Sequence, residues 1–317
     1  MIEWRQYGEN LRKEFQDLGF GSKVSSESKF RLLNKDGSFN VKREGLPFFK
    51  SMTLYHFMIR VSWTKFYLIA LGSYLLLNIF FALGYLYLAP HALAGEGSTE
   101  IGSHFLNAFF FSVQAFTTVG FGQVTPVGMA ANILFTFESF VGLLGFAMAT
   151  GFMFARFSRP HAKIAFSDKA IVAPYNDGGA LMFRIANERA SQLVDLSAQV
   201  IFTCIEDGSR NFYDLNLERE KVTFFPLNWT ILHPINEQSP LATRSKGDLE
   251  KSDAEILILL TGFDETFSQT VYTRTSYKYH EIKWGAKFSN IFGVNSEGKI
   301  TIDMRNLSDF KEENVDI

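Results

Sequence analysis

The chain has 317 residues, 47% hydrophobic and 15% aromatic with 34 Phe, and a formal net charge of −2. That length accommodates two domains, the apolar excess is more than a plain soluble enzyme carries, and the near-neutral balance excludes a global basic surface for nucleic acid. The single cysteine, Cys204, excludes an intrachain disulfide and a thiolate zinc cluster.

Met1 to Leu46 is polar and of mixed charge, and LLNKDGSFNVKREG reads as loop. With no apolar core it predicts no secretory signal; segment 1–46 is expected to be cytoplasmic, much of it extended or poorly ordered. In PFFKSMTLYHFMIRVSW, Lys50, Thr53, His56, Arg60 and Thr64 recur every three or four residues, opposite Phe49, Met52, Tyr55 and Ile59. This predicts an amphipathic helix over 47–63 that lies in the lipid interface.

Phe66–Pro90 carries no charged residue. At about 1.5 Å per residue it exceeds a hydrocarbon core of roughly 30 Å. Trp63 and Lys65 at one end, and Tyr85 and Tyr87 at the other, are the residue types that anchor a span at the interfaces, so a first span is predicted over about 64–90. A second apolar run, Val127–Ala155, is interrupted by Glu138 and ends in FARFSRPHAK, which predicts a span over about 127–157. The connection between them holds no Lys or Arg, while basic residues flank both outer ends. The positive-inside rule then puts both termini in the cytoplasm. Glu138, an acid inside a span, is a functional candidate by position, either facing an internal aqueous path or pairing with a neighbour.

Ser103–Phe116, between the two spans, is too short to cross and runs straight into Thr117, Thr118, Val119, Gly120, Phe121 and Gly122. A half-length helix followed by irregular backbone is admissible at membrane depth only where protein buries it or it lines an aqueous path. Stripping water from K⁺ needs a stack of oxygens, which backbone carbonyls supply if successive residues alternate between ordinary and left-handed conformations. Glycine enters the left-handed region freely, so Gly120 and Gly122 suit those positions. On this reading Val119 and Phe121 pack outward and the Thr118 hydroxyl adds to its carbonyl. One chain gives one row of oxygens, so four chains surround the axis, with K⁺ on the carbonyls of Thr118, Val119, Gly120 and Phe121. A dinucleotide fingerprint is disfavoured because Thr125 stands where its third glycine belongs and no βαβ unit surrounds it.

After Pro160 the pattern becomes that of strands. LSAQVIFT alternates, EILILLTG is a buried run, TVYTRTSYKYHEIKWG is β-branched and aromatic, and NDGG is a hairpin signal. Residues 158–317 are therefore expected to form a soluble β-sandwich.

The string TTVGFG matches the potassium-channel signature T-V-G-[YF]-G. WTILHPINEQSPL (Trp229–Leu241), FARFSRPHAKIAFSDKAIV (Phe154–Val172), HEIKWG and MFRIANER resemble the inward-rectifier potassium channels, in particular the prokaryotic KirBac branch, over about Pro47–Phe310. The fold class this implies is membrane α plus β: a two-transmembrane-helix pore module over 64–157, with a re-entrant pore helix (103–116) and filter (117–122), plus a cytoplasmic immunoglobulin-like β-sandwich. The resemblance implies a homotetramer in the bacterial inner membrane that conducts K⁺, with no other cofactor, no enzyme activity and no nucleic-acid partner. A non-conducting receptor or scaffold is the alternative.

By motif, Phe154 resembles the apolar gate of the helix-bundle crossing, and Gly142, Gly145 and Gly151 permit either bending or close packing of the second span. Arg60, Arg156, Arg159 and Lys163 suit anionic lipids, phosphoinositides among them. Gly262, Phe263, Asp264, Glu265, Thr266, Phe267 and Ser268 resemble the loop that narrows the cytoplasmic pore. Phe146 aligns with the position that controls strong rectification in animal relatives; being uncharged, it implies weak rectification. Phe121 replaces the commoner Tyr, and Gln114 stands where many relatives carry Glu, which puts the usual ion pair behind the filter in doubt. His233, before Pro234, is expected to be structural.

Overall fold

The structure, a computed structural model, describes residues 31–41, 54–88, 92–95, 101–158, 162–176, 178–189, 192–225 and 227–313. These divide into two units: residues 54–158, and the remainder.

In the first unit, α1 (Leu54–Arg60) ends where Val61 and Ser62 leave helical geometry, and the Phe66 amide donates to the Ser62 carbonyl (2.9 Å) as α2 (Trp63–Leu88) begins. Thr64 therefore belongs to α2 and not to the polar stripe of α1; the predicted helix before Leu54 lies outside the described residues. The short strands β1 (Leu93–Ala94) and β2 (Thr125–Pro126) flank α3 (Ile101–Phe116), and α4 (Gly128–Phe157) follows. Both α2 and α4 are long and apolar enough to cross a membrane. The 16 residues of α3 extend only about 24 Å. Phe81, Ala82 and Tyr85 of α2, Leu93, and Ala108 and Phe111 of α3 form the core, against which Leu134, Phe135 and Val141 of α4 pack. Outside that core the long helices stay apolar on their exposed faces (Leu75, Leu76, Phe80, Phe137, Phe140, Leu144), which suits lipid or further copies as surroundings.

The second unit packs two five-stranded sheets. Its strands run β3 (Ile164–Phe166), β4 (Ala170–Tyr175), β5 (Gly178–Asn187), β6 (Leu193–Glu206), β7 (Ser209–Asp214), β8 (Lys221–Phe225), β9 (Asn228–Ile235), β10 (Glu255–Asp264), β11 (Gln269–Lys278) and β12 (Ile282–Trp284). In one sheet the long β6 pairs β10 along one edge and β7 and β8 along the other, with β11 outside β10. In the second sheet β5 takes β3 and β4 along one edge and β9 along the other, and β12 joins β4 in parallel. Alternation puts Leu181, Phe183 and Ile185 of β5 opposite Leu196, Val200 and Phe202 of β6 in one shared core, each such side chain contributing about 1.5–3 kcal/mol by leaving water. The β4–β5 and β6–β7 hairpins turn on left-handed Asn176 (φ 51°) and on Asp207-Gly208 (φ 51° and 75°). A helix, α5 (Lys246–Lys251), starts on a Ser245/Asp248 capping box. Four short strands close the chain in two pairs: β13 (Ala286–Phe288) with β16 (Phe310–Glu312), and β14 (Phe292–Val294) with β15 (Ile300–Ile302).

Residues 31–41, expected among mostly extended chain, form a small hairpin bridged at Leu33 and Phe39 and fastened to this second unit. The Leu32 and Leu33 amides donate to the wholly buried Glu255 (3.0 and 3.3 Å). Arg31 and Lys35 both pair with Glu281 (2.9 and 3.0 Å), and Thr275 donates to the Lys35 carbonyl (3.1 Å). Burial alone raises the pKa of Glu281. The Lys278 amide, Lys35 and Arg31 outweigh it and hold the carboxyl below its ordinary range. A depressed carboxylate stabilises the docked form above its unfolded pKa, and that contribution is lost as pH falls through the folded one. Acidification below the usual glutamate range is therefore expected to loosen residues 31–41 before the sandwich unfolds. Hydrogen exchange of the Leu32 and Leu33 amides against pH checks this; protection that is flat down to global unfolding refutes it.

Candidate functional site

The segment after α3 starts as a helix cap. The Thr118 amide donates to the Ala115 carbonyl (3.1 Å) and the Val119 amide to the Gln114 carbonyl (3.0 Å). This is the bond pair of a Schellman motif with Thr118 as its left-handed residue (φ 57°). Glycine usually fills that place; threonine, β-branched, holds it under strain. The Thr117 hydroxyl donates back to the Val113 carbonyl (2.7 Å), so the last turn of α3 is tied down twice. Beyond the cap, Gly120 (φ 50°) and Gly122 (φ 76°) are also left-handed. Left-handed conformations thus fall on every second residue from 118 to 122. The left-handed positions were expected at the two glycines, with Thr118 offering its carbonyl and hydroxyl; no composition signal marks Thr118 as the first left-handed member. Val119 and Phe121 are open on the single chain (55% and 79% exposed).

Two backbone contacts hold the far end of this segment. β1 and β2 pair Leu93 with Pro126 and Ala94 with Thr125, and the Val127 amide donates to the Ala92 carbonyl (2.8 Å). Gly95 (φ 94°) then lies so close to the Gln123 carbonyl that a β-carbon there would overlap the oxygen. Nothing local in the sequence marks Gly95, because its requirement arises from Gln123, far along the chain.

The glycines of α4 divide by what surrounds them. A β-carbon at Gly142 would run into the Phe116 carbonyl at the end of α3, and one at Gly145 would touch the Phe116 ring (3.5 Å). Gly151 has open space. Gly142 therefore has a packing reason to be glycine, a β-carbon at Gly145 would make only an ordinary van der Waals contact, and α4 runs as one helix through all three. Phe146 and Phe154 are exposed (74% and 72%) and, with Thr150 between them, follow one another a turn apart along one stripe of α4. Glu138, also on α4, is wholly buried, bonded by Tyr85 of α2 and Ser112 of α3.

Arg60 is exposed at the end of α1, Lys163 is exposed in the sandwich unit, and Arg159 lies outside the described residues. Arg156, expected to meet lipid headgroups, turns inward instead. Its guanidinium donates to the carbonyls of Met58 (2.5 Å), Ile59 (3.3 Å) and Val61 (2.8 Å) and lies over the rings of Trp63 (4.4 Å) and Phe66 (4.9 Å). The cause is local: the last carbonyls of α1 lack helical partners, and a planar fork with aromatic faces beside it satisfies several at once. Arg156→Ala is expected to destabilise the assembled protein by about 1–3 kcal/mol, with Lys, a point donor, recovering only part. Thermal unfolding in detergent reads this, and an unchanged midpoint for Arg156→Ala would refute it.

Gly262 to Ser268 form the end of the β10–β11 hairpin. Phe263 pairs with Thr270 and Asp264 with Gln269, and Ser268 is left-handed (φ 50°). Asp264 is buried and accepts the Thr266 (2.9 Å) and Phe267 (3.3 Å) amides, a side-chain turn that fixes the tip, while Glu265 and Thr266 are exposed. The Gly262 position is pressed by Leu196 (2.9 Å to a built β-carbon), at the bulge between β6 and β10. His233 has both ring nitrogens engaged, with the Asn216 carbonyl and the Ser239 hydroxyl (2.7 Å each), and burial lowers its pKa. That is a packing role.

Residues 164–316 match the family model of the inward rectifier potassium channel C-terminal domain, and residues 73–159 match the ion channel model. The chain is 37% identical over 282 residues to the inward rectifier potassium channel Kirbac3.1 of Paramagnetospirillum magnetotacticum, covering 86% of this chain and 93% of that one. It is 31% identical over 242 residues to the ATP-sensitive inward rectifier potassium channel 12 of Bos taurus, and 32% identical over 242 residues to the inward rectifier potassium channel 18 of Homo sapiens. These two alignments cover 70% of this chain, which spans only 56% and 55% of the two mammalian relatives.

Proposed function

The chain belongs to the inward rectifier potassium channel family, and from that premise we propose that four copies enclose one axis and pass K⁺ down its gradient through a filter built from Thr117 to Gly122. The observation that carries this is the left-handed alternation at Thr118, Gly120 and Gly122, placed directly after a capped half-length helix and between two spans. Alternation of that kind turns successive carbonyls of an extended strand toward one side, as a dehydrated cation requires. K⁺ then rests on the carbonyls of Thr118, Val119, Gly120 and Phe121. Four chains are needed because one contributes a single row of oxygens, and the exposed Val119, Phe121 and Phe146 of the single chain suit burial or pore lining in such an assembly.

The protein lies in the cell membrane with both termini in the cytoplasm. Residues 31–41 and the sandwich belong to one unit, with two spans between them in sequence, which fits a chain that crosses and returns. Phe154 closes the path by dewetting at the bundle crossing, and the Gly262–Ser268 tip narrows the passage in the cytoplasmic assembly. Arg60, Lys163 and Arg159 meet anionic lipid, each contributing about 1 kcal/mol near the surface, while Arg156 braces α1 against α4.

Purified tetramer in liposomes with a K⁺ gradient tests the reading. Ba²⁺-blockable K⁺ flux is expected. A stable tetramer without such flux would instead identify a membrane-anchored scaffold, and a monomeric particle would remove the filter altogether.

A further inference from the structure

From Phe66 to Ala155 the chain contains no lysine and no arginine. Glu138 lies within that stretch with 0% of its surface exposed. Among the described residues its carboxyl has hydrogen-bond partners and no ion pair with a lysine or arginine. Tyr85 donates from its hydroxyl to Oε2 (2.6 Å), and Oε1 lies in a short contact with the Ser112 hydroxyl. Ser112 in turn stands 3.0 Å from Oδ1 of Asn78, also wholly buried.

The protons in this group can be counted. Asn78 places its amide nitrogen on the Tyr74 carbonyl (2.7 Å). A carbonyl oxygen only accepts, so that nitrogen is the donor and the amide cannot be flipped; Oδ1, an acceptor, must face Ser112. The single hydroxyl proton of Ser112 is then claimed by two acceptors, Oδ1 of Asn78 and Oε1 of Glu138. If Glu138 were ionised, one of these contacts would set two lone pairs against each other in a buried site. If Oε1 carries a proton, every contact is filled: Tyr85 donates to Oε2, Oε1 donates to Ser112, Ser112 donates to Asn78, and Asn78 donates to Tyr74. The chain of donors runs one way and leaves none of these contacts without a proton. A neutral acid also avoids burying an unpaired charge.

We propose that Glu138 acts as a neutral carboxylic acid whose donated hydrogen bond positions the pore helix α3, and through it the filter. The position supports this. Glu138 and Gly142 are one helical turn apart on α4, and their contacts on α3, Ser112 and Phe116, are one turn apart as well. The two helices are thus registered at two successive turns, one polar and one by backbone contact. Phe116 is the last residue of α3, and the cap that launches the filter uses the carbonyls of Gln114 and Ala115 between those turns. A rotation of α3 that broke the Glu138 contact would carry the first filter residue with it. Glu138 is a positioning residue that acts through Ser112 of α3.

This inference rests on the channel reading for its functional consequence but not for its proton. Glutamine is the isostere of the neutral acid, able to donate to Ser112 and accept from Tyr85, so Glu138→Gln is expected to keep the K⁺/Na⁺ permeability ratio in liposomes within about twofold of the parent. Glu138→Ala, and Ser112→Ala if the former fails to assemble as a tetramer, should lower that ratio by about tenfold, as the loss of a buried hydrogen bond allows. Infrared difference spectra of the full-length tetramer should show the carbonyl stretch of a protonated carboxyl that vanishes in Glu138→Gln. A glutamine variant as unselective as the alanine one, an alanine variant as selective as the parent, or no protonated-carboxyl band assignable to Glu138 each overturns the proposal. If the parent itself passes no K⁺, the proposed function fails while the infrared result still decides the proton.

Discussion

Gly120→Ala is expected to abolish Ba²⁺-blockable K⁺ flux while leaving the cytoplasmic sandwich folded. The position has φ 50°, which an L-residue adopts at a cost of about 1–2 kcal/mol. In an assembly of four that strain is repeated at one level of the axis, about 4–8 kcal/mol in all. Crowding inside the subunit is not the reason, because a β-carbon at Gly120 meets no atom within 4 Å. The variant chain should therefore fold and insert, then relax its filter strand toward ordinary φ values and turn a carbonyl away from the path. The sandwich, with its own core, should unfold at the parental temperature. Full K⁺ flux from the alanine variant would remove the backbone geometry on which the proposed filter depends.

Local signals and distant contacts differ in how far they can be read from the chain. The outer span limits were legible because lysine and arginine stop at Lys65 and resume at Arg156, and α2 begins and α4 ends within a few residues of those marks. Gly120 and Gly122 were legible because glycine has a conformational meaning of its own. Thr118 was not: it shares their left-handed backbone as the cap of α3, a role set by the Gln114 and Ala115 carbonyls and not by its side chain. Alternation announced β6 and a continuous apolar run announced β10, whereas the parallel pairing of β12 with β4 joins segments separated by most of the sandwich sequence. Arg156 reads as a membrane-flanking cation in one dimension, and only folding brings Trp63 and the carbonyls ending α1 under its guanidinium. Glu138 was conspicuous as an acid in an apolar run, but its partners come from two other helices, so spacing along α4 holds no trace of them. The hairpin at 31–41 falls in a stretch that reads only as loop, and its dock is unreadable, since Glu255 and Glu281 lie far along the chain.

Gly95→Ala should be the most damaging change outside the filter string. Two costs act together there. The residue has φ 94°, outside the range that side chains tolerate, and its β-carbon would overlap the Gln123 carbonyl oxygen and stand 3.1 Å from the carbonyl carbon. Neither neighbour is a flexible side-chain tip that can swing aside; both are backbone of the strand leaving the filter. Relief requires breaking the β1–β2 pairing or moving Gln123, and Gln123 follows Gly122 directly. Overpacking of about 1–3 kcal/mol adds to dihedral strain of a similar size in every subunit. The expected result is a K⁺ flux lowered about tenfold or more, with a lower melting temperature of the tetramer. Gly72→Ala is the matched control: that glycine lies inside α2 with nothing within 4 Å, so alanine there should be neutral or stabilise by up to about 1 kcal/mol. Parental flux and melting for Gly95→Ala would mean that the outer segment yields freely, and that the end of the filter is held by neighbouring subunits and not by its own chain.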